Sequence, residues 1–342
     1  MRGLISALGG ARSLALIGMG KNVGKTTALN ALVEEARSLD LALALTSIGR
    51  DGELVDAISS HPKPPIRVAP GTWLGTVEGA LPSVEGAFRV EEVTDMRTAL
   101  GPIVLAQALC EAQWELSGPA LGSDLLWLRQ RFFQLGAQLV VFDGAFDRRS
   151  SATPSLTEAT LIVSGAALDP DMQVVLEQTR HRVELFRLPP HPDLSQPARQ
   201  LLDARGMGWW SGRGPVVPVD LPTALGAAER LASTRPGPDS RLLLGKALTP
   251  ALLQALEGLE IILQDATMAL IEAADLKRFR ARGGRLWVHR PIALPFVVAN
   301  PYSPYGWAFP PRDFLQLLAE VLDPVPVVDV VQGVALGLEL AA

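Results

Sequence analysis

Ile17-Gly18-Met19-Gly20-Lys21-Asn22-Val23-Gly24-Lys25-Thr26-Thr27 joins an apolar run, Leu14-Ala15-Leu16-Ile17, to an amphipathic stretch from Thr26 to Ser38. The run reads as a buried strand ended by Gly18. Behind the glycines, Leu29, Leu32, Val33 and Ala36 recur at helical spacing. A glycine-rich turn between strand and helix exposes consecutive backbone N–H groups, and these together with the helix dipole cradle phosphate oxygens. Against the pattern G-x-x-x-x-G-K-[ST], the first glycine position holds Met19, with Gly18 and Gly20 on either side, while Gly24, Lys25 and Thr26 stand in register. In this reading Gly20, Lys21, Asn22, Val23 and Gly24 line the cradle. Lys25 reaches the β- and γ-phosphates, Thr26 ligates Mg²⁺ through its hydroxyl, and Thr27 contacts the α-phosphate. The alternative is an ordinary glycine turn, and the strand before and helix after both count against it.

Outward from this loop, short apolar runs alternate with longer amphipathic ones, the mark of βαβ units around a mainly parallel sheet. Strands are expected at 14–17, 41–45, 66–69, 103–111, 138–142 and 160–163, with helices at 26–38, 121–135 and 170–178. Leu188-Pro189-Pro190-His191-Pro192 interrupts the pattern, because proline continues neither a ladder nor a helix interior. After a helix at 197–204, an exposed-looking pair Trp209-Trp210 and Pro215, the alternation resumes to the end of the chain. The expected fold is therefore an α/β P-loop NTPase, its mainly parallel sheet flanked by helices, with a smaller C-terminal α/β domain. The expected boundaries are a nucleotide-binding domain at 1–190, a linker at 191–215 and the second domain at 216–342.

A phosphate loop needs an acid on the metal side, and four apolar residues ending in Asp supply it in Leu139-Val140-Val141-Phe142-Asp143. Asp51, in Arg50-Asp51-Gly52-Glu53 after the second strand, is the next candidate, because in a parallel sheet the strand C-termini share one edge. It would hold a metal-bound water or orient the attacking one; as a bland alternative it stabilises an Asp-Gly turn. Candidate catalytic residues are thus Lys25, Asp51 and Asp143, and candidate metal ligands Thr26, Asp51 and Asp143. Lys21 lies four residues before Lys25, not the five of the deviant Walker-A lysine, and reads as solvated. Asp147-Arg148-Arg149-Ser150-Ser151 would lie near the γ-phosphate, to stabilise charge or dock a partner, or else form a solvated loop. No [NT]-K-x-D element for guanine occurs, which favours ATP.

Composition sets bounds around this site. Thirty-one basic against 36 acidic residues, a net charge of −5, disfavour a nucleic-acid backbone as the main partner. With 48% hydrophobic residues the chain can bury a sizeable core. A single cysteine, Cys110, excludes an intramolecular disulfide and points to a reducing, cytoplasmic compartment; its apolar neighbours suggest that it is buried. No apolar run reaches membrane-spanning length, and the first residues lack a secretory signal. His61, His181, His191 and His289 show no metal-ligand spacing. Asn300-Pro301-Tyr302-Ser303-Pro304-Tyr305-Gly306, which holds both tyrosines, reads as a ligand-facing or partner-facing loop, or simply as a proline-rich turn.

Several phrases together resemble one family. They are Gly18-Met19-x-Lys21-Asn22-Val23-Gly24-Lys25-Thr26, Leu45-Thr46-Ser47-Ile48-Gly49-Arg50-Asp51-Gly52-Glu53, Asp143-Gly144-Ala145-x-Asp147-Arg148-Arg149-Ser150-Ser151 and Asn300-Pro301-x-Ser303-Pro304. The family is the KamB-type subunit of lysine 5,6-aminomutase reactivase, and the likeness is densest in residues 14–170. Met19 at the first glycine position agrees with it. The resemblance implies a Mg-ATP-hydrolysing switch that helps restore a cobalamin-dependent aminomutase. The implied partner is that enzyme or its reactivase subunit, with no nucleic acid and no membrane, and self-association left open. Two other readings stand beside it: an ATP-dependent biosynthetic enzyme of dethiobiotin-synthetase type acting on a small carboxylate, and a non-hydrolysing nucleotide-binding scaffold.

Overall fold

The structure, a computed structural model, describes residues 3–49, 65–84, 86–144, 153–220 and 227–338. The apolar run before the glycines forms β1 (Ser13–Gly18), and the amphipathic stretch behind them forms α1 (Lys25–Ser38). Next come β2 (Leu43–Ser47), β3 (Ile66–Val68), β4 (Trp73–Val77), β5 (Phe88–Thr98), β6 (Gly101–Ala108) and β7 (Ala112–Trp114). Helix α2 (Gly122–Gln134) leads into β8 (Leu139–Gly144), and β9 (Ala159–Gly165) into α3 (Met172–Phe186).

The chain divides into two compact units, the first made of Met1–Thr179 and Ala293–Ala342, the second of Arg180–Ile292. The last part of the first unit is β15 (Val297–Asn300), α8 (Pro311–Leu322), β16 (Val327–Asp329) and β17 (Val334–Leu336). Its ten-stranded sheet runs β17-β16-β15-β9-β1-β8-β2-β4-β6-β5. The strands from β16 to β4 are parallel, and β17, β6 and β5 join antiparallel. The first unit is thus α/β, a large, mostly parallel sheet flanked by helices.

Because the central strands are buried on both faces, they read as continuous apolar runs instead of alternating ones. On one face Leu29, Leu32 and Val33 of α1 pack on Leu14, Leu16, Leu45, Val141 and Val163. On the other, Leu125, Leu128 and Phe132 of α2 pack on Ala44, Val140 and Phe142. Each fully buried leucine contributes about 1.5–3 kcal/mol of transfer free energy, so α1 is held far more by its packed stripe than by helix propensity. Glu35, on α1 and only 2% exposed, accepts the Leu4 amide at 2.9 Å and the Gly3 amide besides, tying down the N-terminal segment.

The second unit contains α4 (Gln196–Asp203), β10 (Met207–Trp210), β11 (Val217–Pro218), α5 (Ala228–Thr234), β12 (Arg241–Leu244), α6 (Pro250–Ala255), β13 (Glu260–Leu263), α7 (Ala273–Ala281) and β14 (Arg285–Val288). Its five strands run β11-β10-β12-β13-β14, with β12, β13 and β14 parallel.

Three expectations change. The boundaries at 190, 215 and 216 give way to an insertion: residues from 293 onward return to the first sheet, where Val297 to Asn300 pair in parallel with Ile162 to Gly165. Trp209 and Trp210 are not exposed. They lie in β10 between β11 and β12, each 1% accessible. Cys110 is exposed, because β6 ends at Ala108 and the cysteine falls in the turn beyond it. Among the described residues no helix is long and apolar enough to cross a membrane.

Candidate functional site

Parallel pairing brings the carboxyl ends of five strands to one edge. Leu16 pairs with Asp143, Ile17 with Gly144, Ser47 with Asp143, Gly18 with Val163 and Asn300 with Gly165. The loop 19–24 leaves this edge from β1 and enters α1 at Lys25, with Ala28 N–H donating to the Gly24 carbonyl (3.0 Å) as the helix begins. The leading N–H groups of a helix have no intrahelical acceptor, so they are directed toward the loop.

Lys25 then sets the electrostatics. Its Nζ lies 3.2 Å from Asp143 Oδ1 and donates to the Gly144 carbonyl. Asp143, 8% exposed, is the last residue but one of β8, the strand beside β1, which is why an ammonium on the first turn of α1 can reach it. Thr26 and Thr27 follow on the same turn and are half-buried. The loop itself is tightly held. Met19 N–H donates to the Val163 carbonyl at 2.8 Å, Val23 is buried, and Asn22 takes a left-handed φ of 58°, which asparagine tolerates better than most residues. Gly20 is buried and Lys21 exposed.

Gly24 is required twice over. Its φ is 103°, and an added Cβ would stand 2.7 Å from Asn300 Nδ2. Gly165 allows the same approach from the other side, since a Cβ there would lie 2.4 Å from the Asn300 carbonyl oxygen. Asn300 Nδ2 donates to the Val23 carbonyl at 3.1 Å, and Ala166 N–H donates to the Asn300 carbonyl at 2.9 Å. Asn22 Nδ2 donates to Tyr305 Oη at 3.0 Å, and Trp307 Nε1 to the Ala166 carbonyl at 2.7 Å. The loop 300–307 therefore clamps the glycine loop from the β9 and β15 side, opposite Asp143.

Of the residues singled out in the sequence, the structure brings together Gly20, Asn22, Val23, Gly24, Lys25, Thr26, Thr27 and Asp143. Lys21 is in the loop and faces solvent. Asp51, and with it Arg50 and Gly52, lies outside the described residues, as do His61 and the segment 145–152 with Asp147, Arg148 and Arg149. Ser47, part of a quoted phrase but given no role there, has one in the structure: its Oγ accepts the Gly118 amide at 2.9 Å, pinning the end of β2 next to Asp143. The sequence signal for it was faint, a serine closing an apolar run. His181, His191 and His289 all belong to the second unit. Chemically, the edge combines consecutive amides, an ammonium, hydroxyls and a buried carboxylate, a set suited to an anion with an accompanying hard cation. Comparison with family models, with curated proteins and with solved structures returns no match to this chain.

Proposed function

We propose that the chain is a P-loop nucleotide-binding protein that hydrolyses Mg-ATP and acts as a switch on a partner enzyme. The observation that carries this reading is the meeting of Lys25, on the first turn of α1, with Asp143 on β8, the parallel neighbour of β1, directly behind a glycine loop. The amides of residues 20–25 would hold the phosphate chain. The ammonium of Lys25 would exchange Asp143 and the Gly144 carbonyl for phosphate oxygens, which are stronger charge-assisted acceptors. The hydroxyl of Thr26 and the carboxylate of Asp143 are hard oxygen donors of the kind magnesium takes, and Asp51 is proposed as a further water-mediated one. Magnesium would supply neutralisation of the charge on the transferred phosphoryl group.

The switch part of the proposal is supported by the quoted phrases similar to the aminomutase reactivase subunit, and it names a cobalamin-dependent aminomutase or its reactivase subunit as the partner. A nucleotide-dependent change in switch loops would alter affinity for that partner. The test is Asp143→Asn. Loss of the metal-side charge is expected to spare ATP binding and to lower Mg²⁺-dependent phosphate release by about a hundredfold or more. Wild-type turnover in this variant would reject the role of Asp143. Turnover in the wild type that requires a small carboxylate, and no protein, would favour the biosynthetic reading.

A further inference from the structure

We propose that the loop 300–307 is the nucleobase subsite, with the ring of Tyr305 as the surface on which a purine stacks. This rests on the nucleotide reading above and extends it to the other end of the ligand. Asp143 on β8 marks the side where the terminal phosphate and its metal belong. The strands on the opposite side of β1 are β9 and β15, so a nucleoside leaving the glycine loop away from Asp143 runs toward the loop after Asn300.

What it meets there is aromatic and preorganised. Tyr305 is 38% exposed, and its ring lies 5.6 Å from that of Trp307 at a tilt of 33°. Trp307 is itself fixed through its indole N–H on the Ala166 carbonyl, and the Tyr305 amide donates to Ser303 Oγ at 3.2 Å. The Tyr305 hydroxyl accepts from Asn22, a residue of the glycine loop, so the ring stands one side chain away from the phosphate cradle. Tyr302, also exposed, is braced by Gln332 Nε2 on its hydroxyl at 3.0 Å. Residues 300–307 contain no charged side chain. A neutral ring held by its neighbours loses little conformational freedom on binding and reads a base by its face, which every purine offers.

The experiment titrates Mg-ATP and Mg-tripolyphosphate into the wild type, Tyr305→Ala and Tyr305→Phe, with a thermal melt of each protein. Tyr305→Ala is expected to weaken ATP by about tenfold while tripolyphosphate changes by less than about twofold. Tyr305→Phe keeps the ring and loses the Asn22 bond, and is expected to hold ATP within about threefold of the wild type. Equal weakening of both ligands in Tyr305→Ala would mean that the tyrosine only positions Asn22, and would overturn the subsite. So would no change in either. A wild type that binds neither ligand overturns the nucleotide site and the subsite together, whereas binding of tripolyphosphate as tight as ATP overturns the subsite alone.

Discussion

His191 sits in the second unit between the rings of Trp210 and Trp287, 5.5 Å from each centroid. Its Nδ1 accepts the Asp193 amide at 3.2 Å, leaving the proton on Nε2, 3.5 Å from Glu260 Oε1. Burial pushes this imidazole below its ordinary value; Glu260 and Asp193 oppose the shift and Arg241 adds to it. His289 is lowered for the same reason, with Asp203 opposing and Arg290 and Arg199 adding. A group whose folded value is depressed is protonated first in the unfolded chain, so stability is full above the ordinary value and falls as pH drops through it. Between about pH 7.5 and pH 5.5 the melting temperature is expected to fall, and to fall less in His191→Gln. An identical fall in the variant would show that His191 takes up its proton equally in both states. The side chains of the proposed site were legible singly, because Gly24, Lys25 and Thr26 stand at motif spacing and Asp143 closes an apolar run. Asn300 stood out only as the start of a ligand-facing loop; its contact with the Val23 carbonyl, 277 residues away, was not legible, because nothing local announces that partner.

Elements were readable where burial imposes a pattern. The runs that became β1, β8 and β9 are apolar throughout because helices cover both faces, and the stripe on α1 is regular because one side meets the sheet. The edge strand β5 was missed for the opposite reason. Most of Phe88–Thr98 is exposed, among the described residues the strand pairs only with β6, and its ladder carries two register shifts, so neither alternation nor an apolar run appears. Charged residues such as Arg89, Glu91 and Arg97 on such an edge discourage pairing with another chain. Trp209 and Trp210 misled because adjacent aromatic residues in a four-residue strand point to opposite faces, and only a sheet covered on both sides buries them together.

The division of the chain was the least legible feature. Both units alternate strand and helix, so nothing in a local pattern says which sheet a strand joins; β15 belongs to the first because it lies beside β9, more than 130 residues earlier. The consequence is testable. The fragment 1–190 lacks β15, α8, β16 and β17, and would leave the apolar edge of β9, with Ile162 and Val163, uncovered. It is expected to aggregate or to melt without cooperativity, and not to bind nucleotide. A monomeric, cooperatively folded 1–190 fragment that binds ATP as the full chain does would restore the simpler two-domain division.

Above all of this stands the proposed grip of the glycine loop and Lys25 on a phosphate chain. Calorimetric titration of Mg-ATP into the full-length wild type and into Lys25→Ala reads it directly. Removing the ammonium takes away charge-assisted hydrogen bonds to phosphate, so the wild type is expected to bind and the variant to bind at least about a hundredfold more weakly. Equal affinity in the two proteins would contradict the assignment of this loop as the phosphate site.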